Sequence, residues 1–518
     1  MPVPESIRKV KRPVNTCVED TGRDTVHRYR VRCRKGVLHV QGGNPRPING
    51  EVVGYIFNGA FVEKKPDSPK PSQAECGADM PDMLSYGSVR LAYDLTRDIF
   101  EDLVDVFPLE DACRILVVAI LRVIRPGIPD SRIRKEYERT FLLRYYPGLA
   151  LGGKTIGALL ERIGTDGERR LSFFNRRMAS VSEGHHVLID GMLKQDTSEV
   201  NSLSAYSRKS RVKGCRDISI LYAYDVELGE PLCAQVFPGN CIDASAYADF
   251  LRDNKITKGI LINDKGFPVK MIEKILETYA ELYFITPLKR NDRRIIGNDM
   301  LSFSSVIKVD GVEVLCNKKT IMEGKRFLYS FKNIENAYTD DLKYIRKSIK
   351  NNSYSTDDYE KRRKSFGVIV FESNCDLDPC VVYRSYRQRW LIELVFKSYK
   401  SGLYLDTTRE QGDFSVIGSE LVNFIATTCT CRILRKAGDA GVMDDRTYHE
   451  LLDDLRMIWR RSNAPEPPKS DDGAWIHTYK SGLELMEKLG LSEASGQQSD
   501  GVPKRKRGRP RKSCAAIA

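Results

Sequence analysis

Hydrophobic spacing changes abruptly near residue 181 of this chain. From about residue 86 to 179, apolar residues recur every three or four positions, which is the period of amphipathic helices. From residue 181 to about 290, short apolar runs alternate with helical segments in the order β-β-β-α-β-α-β. This order predicts an α/β fold in which helices pack on a mixed sheet.

The remaining segments are expected to form further units, because 518 residues exceed what one core usually holds. The sheet-containing domain should span 181–401 and include a β-rich insertion at 290–365. Around it we predict a β-hairpin region with a linker, a helical domain for DNA binding or dimerisation, a helical C-terminal domain and a disordered basic tail, over 1–85, 86–180, 402–490 and 491–518 respectively.

The charge of the chain predicts a polyanionic partner. Lys and Arg number 83 against 70 Asp and Glu, and the cations concentrate in two segments, Arg28–Lys35 and Lys504–Lys512. Such clusters are typical of nucleic-acid binding. We expect no membrane partner, because the sequence lacks an apolar run of about 18 residues and a signal peptide. The 13 cysteines include no CxxC pair, which predicts reduced thiols and no structural zinc site.

A polar pattern between Tyr386 and Lys400 is the strongest local motif. Tyr386, Arg389, Glu393 and Lys400 have the spacing Y-x2-R-x3-E-x6-K. On one helix these residues would fall within an arc of roughly 60°. The face would combine a carboxylate, which binds metals, with groups that bind phosphate. A solvated helix face with an ordinary Arg–Glu pair is the alternative.

Two aspartates upstream complete an acidic set with Glu393. Asp190 and Asp264 each follow an apolar run with strand character, and we predict that each strand ends at its aspartate. Ligands collect at such strand ends in α/β sheets. Three carboxylates suffice for a two-metal centre that activates an attacking hydroxyl and stabilises the leaving oxygen of a phosphodiester. For each aspartate alone, ordinary turn chemistry is the alternative.

These motifs together resemble the DDE transposases of bacterial insertion sequences that carry a tyrosine-arginine-glutamate-lysine signature. Asp190 in LIDGM, Asp264 in DKGF and the signature at Tyr386, Arg389, Glu393 and Lys400 carry the resemblance, which covers about residues 181–402. It implies a ribonuclease H-like catalytic core with a β-rich insertion before the last acidic residue.

The resemblance also implies an activity, namely metal-dependent cleavage at the ends of the element followed by strand transfer into target DNA (cut-and-paste). Asp190, Asp264 and Glu393 would hold Mg²⁺, with Mn²⁺ as a substitute, while Tyr386, Arg389 and Lys400 would bind the DNA end. The partners would be double-stranded DNA, as inverted repeats and target, and a second copy of the chain in a synaptic complex. The expected location is the bacterial cytoplasm, at the nucleoid.

The insertion departs from the best-known members, in which it supplies a tryptophan that receives a flipped base. The three tryptophans of this chain, Trp390, Trp459 and Trp475, all lie outside 290–365. Phe327, Tyr329 and Phe331 could stack on a base instead, but aromatic residues in such a strand are more often part of the core, and we favour the core.

The basic tail resembles an AT-hook. Its segment PKRKRGRPRK places Arg507, Arg509 and Arg511 in an extended run that suits the narrow minor groove of A·T tracts. A nonspecific basic tail or a nuclear import signal is the alternative. For the whole chain, the alternatives to a transposase are a transposase-derived DNA-binding protein without catalysis and a metal-dependent nuclease without transposition.

Overall fold

A computed structural model describes residues 3–38, 46–65, 81–198, 200–241, 244–263, 276, 278–464 and 475–491. The side chains of 36–38, 46–48 and 244–245 are not described within these ranges. The predicted strand end at Asp264 and most of the helix predicted after it lie outside the described residues, as do Arg507, Arg509 and Arg511 of the tail.

The N-terminal region forms a four-stranded antiparallel sheet, in the order β1-β2-β3-β4, which agrees with the hairpins predicted there. The basic run from Arg28 lies largely on β2, where Arg32 forms an ion pair with Glu19 of the neighbouring strand. A further strand, β5, begins the helical region. These strands are β1 Thr16–Asp20, β2 Tyr29–Leu38, β3 Arg46–Phe57, β4 Ala60–Glu63 and β5 Met83–Ser85.

A ten-stranded mixed sheet forms the centre of the protein. Its strands are β6 His186–Asp196, β7 Ala205–Tyr206, β8 Arg216–Asp225, β9 Glu230–Pro238, β10 Gly259–Ile262, β11 Leu282–Pro287, β12 Ser305–Val309, β13 Val312–Ile321, β14 Arg326–Lys332 and β15 Val368–Ser373. Strand β10 runs parallel to both β6 and β11, whereas β6, β8 and β9 pair antiparallel. The predicted mixed sheet is therefore confirmed.

The insertion extends this sheet. Its strands pair in the order β12-β13-β14-β15, and β15 pairs antiparallel with β11. Phe327, Tyr329 and Phe331 of β14 are buried, which confirms their prediction as core residues. Small strands β16 Trp459–Arg461 and β17 Ile476–His477 join β5 in a separate three-stranded sheet.

Most of the helices contribute buried residues to the main hydrophobic core, which they share with the central sheet. Those before the sheet are α1 Glu5–Arg8, α2 Gly87–Asp94, α3 Arg97–Val106, α4 Leu109–Ile124, α5 Asp130–Tyr137, α6 Leu142–Tyr145, α7 Gly153–Thr165 and α8 Gly167–Met178. Those that follow β9 are α9 Ala244–Asp253, α10 Arg293–Gly297, α11 Ile334–Lys350, α12 Thr356–Arg363, α13 Pro379–Arg387, α14 Trp390–Lys397, α15 Asp413–Asp439, α16 Tyr448–Arg456 and α17 Lys480–Lys488.

The long helix α15 is the centre of the helical layer. It packs against α4, α7 and β9, so segments from both predicted helical domains meet in one core. A Cβ on Gly418 would lie 1.9 Å from the Leu160 carbonyl oxygen, so this glycine permits the close approach of α15 to α7. Helix α15 is long and apolar enough to cross a membrane, yet 78% of its most apolar window is buried inside the protein, as in a core helix. The predicted domain boundaries stay a prediction.

Candidate functional site

Asp190 lies within strand β6 and not at its end, so the predicted strand end is wrong. The strand continues to Asp196 because β8 pairs with it along its whole length. The polar residues Lys194 and Asp196, which lie beyond the predicted strand end, are buried with polar partners. Asp190 therefore stands on a rigid strand, where its Oδ1 accepts a hydrogen bond from the Gly191 N–H at 2.8 Å.

Glu393 approaches Asp190 from the helical side of the site. The single helix predicted over 386–400 is wrong, because the chain forms α13, a turn at residues 388–389, α14 and then a π-helical turn, Ser398–Gly402. Glu393 lies in the first turn of α14, and Arg389 is the residue just before that helix. Spacing on an ideal helix cannot predict the relative positions of side chains across such breaks.

Arg389 joins the two carboxylates. Its Nη1 lies 3.9 Å from Oδ2 of Asp190, and its Nη2 lies 3.6 Å from Oε1 of Glu393. The three side chains are 25%, 31% and 61% exposed in the order Arg389, Asp190, Glu393, so the group is open to solvent. Oxygen ligands from two elements thus converge on a cation, and this donor set suits a hard divalent ion such as Mg²⁺.

Tyr386 and Lys400 have other surroundings. Tyr386 is half-buried, and its ring centre lies 4.6 Å from that of Phe371, in the hydrophobic cluster that also contains Phe331 of the insertion. Lys400 lies in the π-helical turn, where burial and then the charge of Arg211 lower its pKa, against the opposing effect of Asp406 and Asp217. The ammonium is therefore held among a different set of charges from the Asp190–Arg389–Glu393 group.

Strand β10 leads towards Asp264, which is itself outside the described residues. The parallel register pairs Ile262 with Leu188 of β6. Leu188 is two residues before Asp190, and Ile262 is two residues before Asp264. At the end of the strand, buried Asn263 donates to the Thr286 hydroxyl of β11 at 3.3 Å.

A second group of potential metal ligands lies beside the start of β6 and the end of β8, and no residue spacing in the sequence predicted it. Ligand atoms of His185, Asp225 and Glu227 all lie within 4.8 Å of one another. Each has a protein partner, since His185 Nδ1 is 2.7 Å from Asp225 and Glu227 accepts from the His186 backbone N–H. Burial raises the pKa of Glu227, but hydrogen bonds from His186 outweigh it and lower the pKa overall. None of these residues belongs to the predicted acidic set.

The helices of the insertion carry a cationic surface. Six exposed cations form no ion pair within the described parts of the chain. Four lie on α11, one lies on α12 and one directly follows α12: Lys343, Arg346, Lys347, Lys350, Lys361 and Lys364. Such a surface favours contact with phosphates. The sequence showed these cations, but only the fold brings the two helices together, through the Tyr344 hydroxyl, which donates to Asp358.

Comparison with known proteins finds a family match for one segment of the chain. Residues 186–416 match the family model described as the transposase DDE domain. No curated protein matches the chain. A solved structure, a piggyBac transposase synaptic complex with hairpin DNA, is 12% identical, covers 72% of this chain and 80% of its own, and has a TM-score of 0.37. A similarity of this size does not establish a shared fold. The assignment of the site therefore depends on the family match and on the geometry of its residues.

Proposed function

We propose that this chain is a DNA transposase of the insertion-sequence type, which cleaves the ends of its element and transfers them into target DNA by cut-and-paste. One observation carries the proposal: within the segment that matches the transposase DDE domain, the carboxylates of Asp190 and Glu393 converge on one cationic group.

Asp190, Glu393 and Asp264 would hold the divalent metal, Mg²⁺ or Mn²⁺. The carboxylate oxygens of Asp190 and Glu393 already face a positive charge, and the equal sequence intervals from Ile262 and Leu188 support Asp264 as the third ligand. Two bound metal ions supply activation of the attacking hydroxyl and stabilisation of the leaving oxygen. The protein orients the acids on β6 and α14, which are regular elements and so hold side chains reproducibly.

The strand order supports a ribonuclease H-like core. Within the sheet, β9-β8-β6-β10-β11 are neighbours, and β6 is central, with its antiparallel partner β8 on one side and its parallel partner β10 on the other. Helix α9 connects the antiparallel to the parallel strands. In this proposal, the β-rich insertion lies between the second parallel strand and the helix that carries Glu393.

The cationic groups would bind the DNA. Arg389 can donate two parallel hydrogen bonds to a phosphate once metal ions have replaced it between the carboxylates. Tyr386 and Lys400 would contact the DNA end, and the tail residues Arg507, Arg509 and Arg511 would bind A·T-rich minor grooves. The exposed cations of α11 and α12 support contact with double-stranded DNA, which we propose occurs in a homodimeric synaptic complex in the bacterial cytoplasm.

Cleavage of the DNA that flanks the gene tests this function. The purified full chain, with Mg²⁺, should nick a labelled duplex at the ends of the flanking inverted repeats. Asp190→Asn and Glu393→Gln should each lower the rate by more than about 100-fold, because even partners outside the ligand sphere contribute about 10–100-fold.

Glu227→Gln is the matched control, since it alters an acid of the other group of potential metal ligands, His185, Asp225 and Glu227. Undiminished cleavage by Asp190→Asn and Glu393→Gln would overturn the site, and loss of cleavage confined to Glu227→Gln would move the metal to the His185 group. Cleavage at the ends without joining to target DNA would identify a nuclease without transposition.

A further inference from the structure

Three polar side chains from three different elements meet in the interior beside the site. Lys194 of β6 donates to Oε1 of Glu420 at 2.7 Å and to the Tyr399 hydroxyl at 2.9 Å. Tyr399 in turn donates to Oε2 of Glu420 at 2.7 Å. The three groups close a ring, and both charged side chains are only 4% exposed. We call Lys194, Tyr399 and Glu420 the buried triad.

The buried triad joins the two elements that carry the proposed metal ligands. Lys194 follows Asp190 by four residues, so both lie on the same face of β6, about 13 Å apart. Tyr399 follows Glu393 by six residues, in the π-helical turn that continues α14. Glu420 belongs to α15, which packs against that turn. The triad thus bridges strand and helix without touching the carboxylates.

Aromatic packing fills the space between the triad and the site. Tyr222 of β8 is the cross-strand neighbour of Asp190, and its ring lies 6.0 Å from that of Phe396 and 6.4 Å from that of Tyr399. Because close-packed interiors transmit displacements, movement of the π-helical turn would be passed to α14 and to the strand pair. Tyr222 thus links the Tyr399 ring, through an aromatic contact, to the strand position that pairs with Asp190.

Stability alone does not account for these three groups. A buried ion pair is often no more stabilising than apolar side chains of the same volume, whereas its directional bonds restrict geometry. Here the ring is part of a larger network, since Glu420 also accepts from Asn423 at 2.9 Å and Asn423 accepts from Arg122 at 2.7 Å. Burial, followed by the charge of Glu420, raises the pKa of Tyr399 well above its usual value, so its hydroxyl stays protonated and able to donate.

We infer that the buried triad is a positioning device, which sets the separation of Asp190 and Glu393 and thereby the affinity of the site for divalent metal. This inference rests on the proposed function, because it assumes that the two carboxylates bind metal together. Lys194, Tyr399 and Glu420 act through β6 and α14 and contact neither metal nor DNA. Ligand sites that are held 1 Å out of place lose much of their function, which gives such a device a measurable effect.

Binding of Mn²⁺ to the full chain without DNA tests the inference, with free Mn²⁺ followed by electron paramagnetic resonance. Tyr399→Phe removes one hydroxyl and should weaken Mn²⁺ binding by about tenfold or more, as loss of supporting partners does at other metal sites. Tyr137→Phe is the matched control. Tyr137 lies in α5, away from β6. Its buried hydroxyl, which this variant also removes, donates to the Tyr146 carbonyl oxygen at 2.5 Å. Its Mn²⁺ binding should equal that of the wild type.

A second variant covers the case in which Tyr399→Phe does not fold. Lys194→Met, Tyr399→Phe and Glu420→Met together replace the triad by apolar groups, which should preserve folding but not the bond geometry. Weak Mn²⁺ binding by this folded variant supports the inference, and wild-type binding overturns it. If Glu393→Gln binds Mn²⁺ as tightly as the wild type, the proposed metal site itself is refuted. Failure of the proposed function can thus be distinguished from failure of the inference about the buried triad.

Discussion

Arg389 and Asp190 face each other across the gap between a helix and a strand, with Nη1 of the guanidinium 3.9 Å from Oδ2 of the carboxylate. Since Nη2 of the same guanidinium lies 3.6 Å from Glu393, one cation lies close to two acids that the sequence separates by about 200 residues. In the metal-free protein, Arg389 therefore stabilises a pair of carboxylates that would otherwise repel each other. The arrangement makes Arg389 a competitor of the metal as well as a candidate phosphate ligand.

Arg389→Gln should separate these two roles. The variant should bind Mn²⁺ at least several-fold more tightly, because a unit charge about 4 Å away contributes about 1 kcal/mol even at the dielectric constant of water. Its cleavage of DNA should nevertheless fall, because the bidentate phosphate ligand is lost. Parallel measurements of Mn²⁺ binding and of single-turnover cleavage check this. Weaker Mn²⁺ binding would contradict the competitive role.

Lys400→Met should be more stable than the wild type at neutral pH. Burial lowers the pKa of Lys400 below its ordinary value of 10.5, so the unfolded chain holds this proton more strongly than the folded protein. Wild-type stability should therefore rise with pH between the lowered pKa and 10.5, and the advantage of the variant should shrink across that window. Urea denaturation at several pH values measures it.

The same variant tests the predicted DNA contact. If Lys400 binds a phosphate, the slope of log affinity against log salt concentration should fall by about one unit. An unchanged slope would show that Lys400 does not bind the DNA end and interacts only with the charges of Arg211, Asp406 and Asp217.

Glu230→Ala should destabilise the fold without affecting metal binding. Glu230 accepts from Arg177 at 2.6 Å and from Arg432 at 2.5 Å, in a buried junction of β9 with α8 and α15. Removal of the carboxylate leaves two guanidinium groups without this partner, and such a loss costs about 3–5 kcal/mol. Denaturant unfolding measures the change. Glu5→Ala, in an ion pair whose Glu5 side chain is 80% exposed, should change stability by less than about 1 kcal/mol.

Replacement of the exposed cations Lys343, Arg346, Lys347 and Lys350 by Gln should weaken DNA binding and reduce its salt dependence. Each lost phosphate contact lowers the slope by about one unit. Lys480→Gln, which alters an exposed cation on α17, serves as the control. A salt slope equal to that of the wild type would show that α11 does not contact DNA.

Deletion of residues 503–518 should weaken DNA binding generally and leave metal-dependent cleavage intact. The deletion removes a dense run of cations, which contribute through counterion release and not through the metal centre. Binding isotherms at several salt concentrations, together with cleavage at saturating protein, measure both effects. An unchanged salt dependence would refute a DNA-binding role for the tail.

Local sequence patterns predicted which segments form helices and strands better than they predicted where those helices and strands end. The mixed sheet, the helical region before it and the strand character of the insertion all follow from hydrophobic period, which neighbouring residues determine. The predicted end of β6 was wrong because pairing with the distant strand β8 continues to Asp196, and Lys194 and Asp196 find polar partners in the interior. The helix over 386–400 was wrong because no local signal predicts the turn at residues 388–389.

From the sequence alone came the residue types of the site: the acids Asp190, Asp264 and Glu393, and the cation Arg389 beside them. Tertiary structure decided which of these groups meet, since Arg389 lies between Asp190 and Glu393 while Lys400 faces other charges. Tertiary structure likewise decided the pairing of Lys194 with Glu420, which are 226 residues apart. Hydrophobic period is a property of neighbours in the chain, whereas the pairing of polar groups depends on which distant segments pack together.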